Sequence, residues 1–427
     1  MLPKLEHYPV NWVDGMKISR RHFSDFEHFV SDHLRDASAA GLTNYNYGLL
    51  PSDAPDFNLQ VVTDQNQGLR VLLTNCRAIT GAGCRIEIIG GQLELSTSLT
   101  EILAKYNMPM ADELQFLIVL SVDLFARQPE GIPANNEPFP RPPFSIPTYR
   151  LNVVPGYQYE AVANSRDAGA GGSAGKTSYP SAAFESFHLV VGQLNCRYGQ
   201  LVNDAGYIPA CAAIGSHVRL TAWADRMSKL LSEVQSDSFK IADKVCEKRG
   251  SDLARKAGPL AELILNWVTQ LANALDDVLN HLHYNGKEAP PHALLKQIAL
   301  ATRRAKTSLN CLNDKELRGS VKFGKDVVLD YFQKWTDISP NRLTTGFDAV
   351  INRPYNHSDI RPHLELVMQF WENVARITHK MTELEYIGQT PQQRGVLDDS
   401  RPTDERDAIK EDIITPPLRS SFSFRAE

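Results

Sequence analysis

The sequence predicts an α+β protein in which an N-terminal β-sandwich is followed by a helical bundle. Three observations predict this order. Short runs rich in β-branched residues, separated by glycine-containing turns, occupy residues 57–212. Apolar residues recur at helical spacing from about residue 218 onward. After residue 388 the chain becomes polar, which is typical of a disordered tail.

The composition is that of an ordinary globular protein and excludes several classes. Of the 427 residues, 42% are hydrophobic and 22% are charged, and the formal net charge is −5. This balance gives no support for a nucleic-acid-binding face. No apolar run is long enough to span a membrane, and the N-terminus lacks the features of a secretory signal. Six widely spaced cysteines without a C-x-x-C pair favour reduced thiols in a cytoplasmic protein.

The β region follows an aromatic and histidine-rich segment in which residues 25–40 have the spacing of a short helix. RIEI and QLEL alternate with period two, whereas FLIVL is continuous and is predicted to be buried on both faces. Two insertions interrupt the region: residues 127–149, with seven prolines, and the glycine-rich residues 165–178. The predicted strands are NLQVV, LRVLL, RIEIIG, QLELST, LQFLIVLSVDLF, YRLNVV, YQYEAVA and FHLVVGQL.

Five helices are predicted next, at residues 223–250, 259–283, 291–313, 321–335 and 361–386, with a loop at 339–358. The second helix is the clearest, because its apolar residues form several rows with seven-residue spacing. This stripe is wider than one coiled-coil seam requires, so it predicts packing within the chain and against sister copies. The stripe includes Ile264, Trp267, Leu271, Leu275, Val278 and Leu282.

Motifs for catalysis or metal binding are weak. Residues 170–177 read AGGSAGKT, a relaxed phosphate-loop pattern, but Pro180 prevents the helix that such a loop requires. No two histidines have the H-x-x-x-H spacing of a metal site on a helix, and no G-x-S-x-G motif is present. We therefore predict no catalytic, cofactor-binding or metal-binding residue. A nucleotide-binding enzyme that uses this loop is kept only as an alternative function.

The N-terminal stretch VNWVDGMKISRRHF resembles the opening of the TssK family, the baseplate subunits of bacterial type VI secretion systems. That family begins with Trp, an acidic residue, Gly, Met and an aliphatic residue, followed by Pro-Gln-His-Phe. Arg20 and Arg21 stand where the family has Pro-Gln. The residues that match in order are Trp12, Asp14, Gly15, Met16, Ile18, His22 and Phe23.

Two further segments resemble the family in the expected order. One is similar to a Trp-Gly-Leu turn into the first strands, and the other to the Tyr-Ile-Pro-Pro segment that closes the β domain. In the second segment Ala210 replaces the second proline. The resemblance covers about the first 220 residues, and its matching residues here are Tyr47, Gly48 and Leu49, then Tyr207, Ile208 and Pro209.

The resemblance implies an arm at residues 1–18, a β-sandwich shoulder at 19–216 and a helical stalk at 217–338. A reduced head would follow at 339–427, with a disordered tail from about 388. It also implies a non-enzymatic homotrimer without a cofactor, located in the cytoplasm at the inner face of the inner membrane. Such a protein joins the wedge subunits TssF and TssG to the inner-membrane complex, binds no nucleic acid and is not itself inserted into the membrane.

Two alternatives stay open at this point. Trp12, Met16 and Phe23 either anchor the arm to another subunit or pack in the core of their own subunit. The chain is either a baseplate adaptor or a phage-tail-like receptor-binding module, because the two folds are thought to be related. The short region after residue 339 leaves open which inner-membrane proteins it contacts.

Overall fold

A computed structural model describes residues 5–52, 57–64, 67–133, 141–156, 187–252, 255, 259–312 and 324–389. Several predicted features lie outside these residues. They are the strand at 157–163, the glycine-rich insertion with its AGGSAGKT segment, and the tail after residue 389.

The first sheet is built around one long central strand. This strand, β3, pairs antiparallel with each of the other four strands. In β4, Ile86 and Ile88 are buried and Arg85 and Glu87 are exposed, as the alternating sequence predicts. The strands are β1 (Gly48–Leu49), β2 (Asn58–Thr63), β3 (Gly68–Ile79), β4 (Arg85–Ile88) and β5 (Leu93–Ser98).

The second sheet is antiparallel throughout and has the order β7-β6-β8-β9. The FLIVL run lies in β6, where four of its five side chains are buried and Leu117 is half-buried. Two antiparallel sheets followed by helices confirm the predicted fold class. The strands are β6 (Glu113–Glu130), β7 (Phe144–Pro155), β8 (Phe187–Arg197) and β9 (Gln200–Asn203).

Two helices belong to the β region. Helix α1 spans Arg20–Ala40, and helix α2 spans Leu99–Lys105. Helix α2 is absent from the sequence-based prediction, although its capping box is visible in the sequence. The Glu101 backbone N–H donates to Ser98 Oγ at 3.2 Å, and the Ser98 N–H donates to the Glu101 carboxylate at 3.2 Å.

The remaining helices form one bundle. Helix α4 (Leu260–Tyr284) packs on α3 (Val218–Lys248) and α5 (Pro291–Asn310). Helix α8 (Arg361–Glu383) packs along α3. The predicted stripe on α4 is buried within the chain, apart from the half-buried Leu282. The expectation that sister copies share this stripe is therefore corrected, since it offers no exposed seam. The helices are α3 (Val218–Lys248), α4 (Leu260–Tyr284), α5 (Pro291–Asn310), α6 (Lys325–Thr336), α7 (Pro340–Asn352) and α8 (Arg361–Glu383).

The predicted loop at 339–358 is wrong for its first part, because α7 lies there. Ser339 Oγ caps this helix by accepting the Arg342 N–H at 3.2 Å, and Leu343 and Phe347 are buried. Gly346 lets α8 approach, since a Cβ at that position would lie 2.9 Å from the Phe370 ring. Both α7 and α8 pack on the same bundle as the earlier helices, and the domain boundaries at 18, 216 and 338 stay predictions.

Candidate assembly surface

The described part of the arm, residues 5–18, leads into α1 through a tight turn. The Met16 N–H donates to the Val13 carbonyl at 3.1 Å, and Gly15 has a φ of +78°, which favours glycine. At the start of α1, the Ser19 N–H donates to His22 Nδ1 at 3.1 Å. Two residues of the TssK-like motif therefore have local structural roles, Gly15 in the turn and His22 in the helix cap.

A buried carboxylate holds the first part of the arm against α1. Asp32 is fully buried, and its Oδ2 accepts the backbone N–H groups of Glu6 at 2.7 Å and His7 at 3.0 Å. Arg35 Nη1 lies 2.6 Å from the other carboxylate oxygen, and the Arg35 guanidinium also pairs with Asp36 at 2.6 Å. A buried charge is tolerated only with such partners, so this network fixes the position of the arm.

Aromatic and ionic contacts tie the same elements to the second sheet. The His7 ring lies 4.1 Å from the Phe125 ring, and both rings contact His28. Arg127 donates to Glu27 at 3.2 Å and to Ser31 at 2.8 Å. The pairing of β6 with β7 is irregular between residues 123 and 127, and this bulge carries Phe125 to the arm.

The inner face of α1 is polar and closely packed. Its buried residues are Asp32, Arg35 and Ala39. Gly83, in the turn between β3 and β4, has a φ of +89°, and a Cβ there would lie 2.3 Å from the Arg35 carbonyl oxygen. The backbone of α1 thus lies directly on this turn, without a layer of apolar side chains between them.

The exposed side of α1 carries several large apolar side chains, beside charged ones such as Arg21 and Glu27. Phe23 is 58% exposed and Leu34 is 63% exposed. Trp12 in the arm is 50% exposed, and its ring contacts the His22 ring edge-on at 6.0 Å. We call these exposed residues the N-terminal apolar surface; they are Trp12, Val13, Ile18, Phe23, Phe26 and Leu34.

This surface is comparable in size with the largest apolar patch of a typical monomer, about 300–600 Å², and such patches are often functional. A fully exposed aromatic side chain presents roughly 150–250 Å², so six half-exposed apolar side chains leave on the order of 500 Å² in water. Folded monomers rarely expose more than a few hundred Å² of contiguous apolar surface without a function. Of the predicted arm residues, Asp14 is exposed and Met16 is half-buried. Neither Trp12 nor Phe23 is buried within its own chain.

The other two TssK-like segments meet in space, although about 160 residues separate them. The Leu49 N–H donates to the Ala210 carbonyl at 2.8 Å, and the Ala212 N–H donates to the Leu49 carbonyl at 2.9 Å. Gly48 has a φ of +109°, and a Cβ there would lie 2.0 Å from the Ala210 oxygen. Tyr207, Ile208 and Pro209 are buried at this junction.

Three features of the described residues bear on possible chemistry and on membrane insertion. Within them, no group of three or more His, Cys, Asp or Glu side chains could hold a metal ion. Burial raises the pKa of the Cys84 thiol to about 12 and also raises the pKa of Cys211, so both thiols stay protonated at neutral pH. In the same part of the chain, no helix is long and apolar enough to cross a membrane.

Comparisons with known proteins point to one group of structures. No family model and no curated protein matches the sequence. The chain is similar to a crystal structure of TssK, with 12% identity, a TM-score of 0.45, and coverage of 86% of this chain and 69% of that one. For TssK from EAEC bound to a nanobody, the identity is 15% and the TM-score is 0.40, with coverage of 80% and 66%.

A third similar structure is the TssK-TssF-TssG baseplate subcomplex of a type VI secretion system. Here the identity is 13%, the TM-score is 0.42, and the match covers 86% of this chain and 100% of the other. These neighbours are TssK chains or baseplate complexes that contain TssK.

Proposed function

We propose that this protein is a non-enzymatic structural adaptor of a type VI secretion baseplate, similar to TssK. The observation that carries the proposal is the N-terminal apolar surface, in which three of the six residues match the family motif. Trp12, Ile18 and Phe23 match that motif and are at least half exposed. An adaptor needs such residues outside its own core, because they must be available to other subunits.

The energetics support docking at this surface. Burial of roughly 500 Å² of apolar area at about 25 cal/mol per Å² gives on the order of 12 kcal/mol. Association itself costs an estimated 4–15 kcal/mol, so this surface contributes substantially but needs further contacts. Because α1 and the arm are tied to β6, a docked partner would pull on the sheet rather than on a loose segment.

The partners that we propose are the wedge subunits TssF and TssG, which accompany TssK in one of the similar structures, the TssK-TssF-TssG subcomplex. We further propose that the chain forms a homotrimer in the cytoplasm and that residues after 339 face the inner-membrane complex. Because the stripe on α4 is buried within the chain, such a trimer would form through other surfaces.

The test is co-purification with TssF and TssG from the same bacterium, followed by light scattering to measure mass. The variant replaces Trp12, Phe23 and Phe26 with serine. The matched control replaces Tyr284, which is 77% exposed on the bundle, with serine. We expect the triple variant to stay folded and lose wedge binding at least tenfold, while the control binds normally.

Other outcomes would decide between the functions. Normal wedge binding by the folded triple variant contradicts docking at this surface. If the wild-type chain ignores TssF and TssG and binds a cell-surface ligand, a receptor-binding module is the better explanation. Nucleotide binding that disappears in Lys176→Ala would indicate an enzyme instead.

A further inference from the structure

The segment that joins α7 to α8, together with Arg361 at the start of α8, reaches from the helical bundle to the β region. We call residues 353–361 the strap. His357 Nε2 lies 2.9 Å from the Tyr47 carbonyl oxygen, and His357 Nδ1 lies 2.8 Å from the Tyr355 hydroxyl. A carbonyl can only accept, so the ring carries its proton on Nε2 and its Nδ1 accepts from Tyr355. His357 is buried and therefore forms a satisfied link between the two regions.

The other end of the strap holds the segment that follows β9. The Tyr207 hydroxyl donates to the Ser358 carbonyl at 2.6 Å. Arg361 Nη1 donates to Asp204 Oδ1 at 2.7 Å, and the Asp204 side chain is only 10% exposed. Gly206 allows this approach, because a Cβ there would lie 2.2 Å from Arg361 Nη1.

The start of α5 and the turn before it contact the same junction from a second side. The Tyr45 ring stacks on the His292 ring at 4.2 Å, with only 12° between their planes. Beside them, the Ile214 N–H donates to the Ala289 carbonyl at 2.9 Å. Contacts from two separate parts of the bundle therefore converge on one end of the β region.

The covalent connection between the two regions is slight. All the described strands end by residue 203, and the bundle helices begin at residue 218. Between them the chain crosses once, through residues 204–217, of which 210–212 bond to Leu49 of β1 and the last part contains one short 3-10 turn at Ile214–Ser216. A single connection of this kind allows rotation unless other contacts restrain it.

We propose that the strap is a lock that holds the β region and the helical bundle in one orientation, and that residues 213–217, which follow the part bonded to β1, become a hinge when the strap is released. The lock concerns two parts of one chain, so it does not depend on the partners proposed above. In an adaptor, release of this lock would let a force on the β region change the orientation of the helical bundle.

Electron paramagnetic resonance distances in the full chain test this proposal. One spin label goes on Cys246, an exposed native cysteine on α3, and the second on a cysteine introduced by Ser96→Cys on β5. Cys311→Ser removes the other exposed thiol among the six cysteines. The remaining four cysteines are buried, so two positions are labelled.

The strap variant combines His357→Ala, Tyr207→Phe and Arg361→Gln. The matched control is Arg226→Gln, which removes an ion pair with Glu372 that lies entirely within the bundle. We expect a narrow distance distribution in the parent and the control, and a distribution at least twice as broad in the strap variant. A broad distribution in the parent, or an unchanged one in the strap variant, would overturn the proposal.

A second measurement applies if the triple variant does not fold. Tyr207→Phe removes one hydroxyl and leaves the ring in place. In amide hydrogen exchange, we expect Leu49 and Ala212, whose N–H groups bond across the junction, to exchange at least tenfold faster in this variant. Amides inside α4 should be unaffected. Equal rates at the junction in variant and parent would contradict the lock.

Discussion

Replacing Asp32 with alanine should destabilise the protein and free the arm. The substitution removes the acceptor of two backbone N–H groups and one of the two carboxylate partners of Arg35. Loss of one partner from a buried ion pair costs about 3–5 kcal/mol, because the other charge stays buried. Asp36 still lies 2.6 Å from Arg35, so we expect the lower end of this range, about 3 kcal/mol.

A paired substitution separates stability from arm attachment. Asp32→Leu combined with Arg35→Met replaces both charges with apolar groups, and such replacements are often neutral or stabilising. We therefore expect most of the lost stability to return. The arm should nevertheless stay detached, because the backbone N–H groups of Glu6 and His7 still lack their acceptor.

Urea unfolding measures the first effect, and amide exchange at residues 6 and 7 measures the second. The expected pattern is low stability with a free arm in Asp32→Ala, and recovered stability with a free arm in the double variant. A cost below about 1 kcal/mol for Asp32→Ala, well under the range for a broken buried pair, would refute the role given to this carboxylate. Protection of both amides in the double variant would refute it equally.

Three further predictions concern the junction and the bundle. Gly48→Ala should lower the melting temperature far more than Gly90→Ala, because both positions have positive φ but only Gly48 lacks space for a Cβ. Burial lowers the pKa of His357 and of His363 to about 4. The unfolded chain therefore takes up these protons first, and stability should fall as the pH drops from about 6.5 to about 4. Melting curves of His357→Gln, which cannot be protonated, should depend less on pH over that interval. Trp267→Ala should cost about 3–5 kcal/mol in urea unfolding, since this buried ring leaves a cavity beside α5.

Elements with a strong, local pattern could be predicted from the sequence. The strands around FLIVL and helix α4 have regular periods, and both lie where the pattern places them. Helix α7 was missed because Thr344, Thr345 and Gly346 are poor helix formers. Packing of Leu343 and Phe347 in the bundle outweighs that local preference.

The candidate surface could be predicted only in part. Motif residues such as Trp12 and Phe23 identified the region, and the helical spacing of Phe26, Val30 and Leu34 predicted a helix without indicating which face is buried. The opposite face of α1 is buried, because Asp32 and Arg35 form an ion pair and Asp32 also accepts hydrogen bonds from the arm. Asp32, Arg35 and the arm are brought together only by folding. No repeating pattern in the local sequence therefore indicates that this polar face is buried.

The partial exposure of Trp12 makes it a natural optical reporter. The chain has five tryptophans, and Trp267 and Trp371 are shielded within the bundle. A dissolved collisional quencher such as acrylamide will therefore reach the indole of Trp12 far more readily than these two. Loss of that quenching when another protein is added would signal occupancy of the arm directly, without any attached dye.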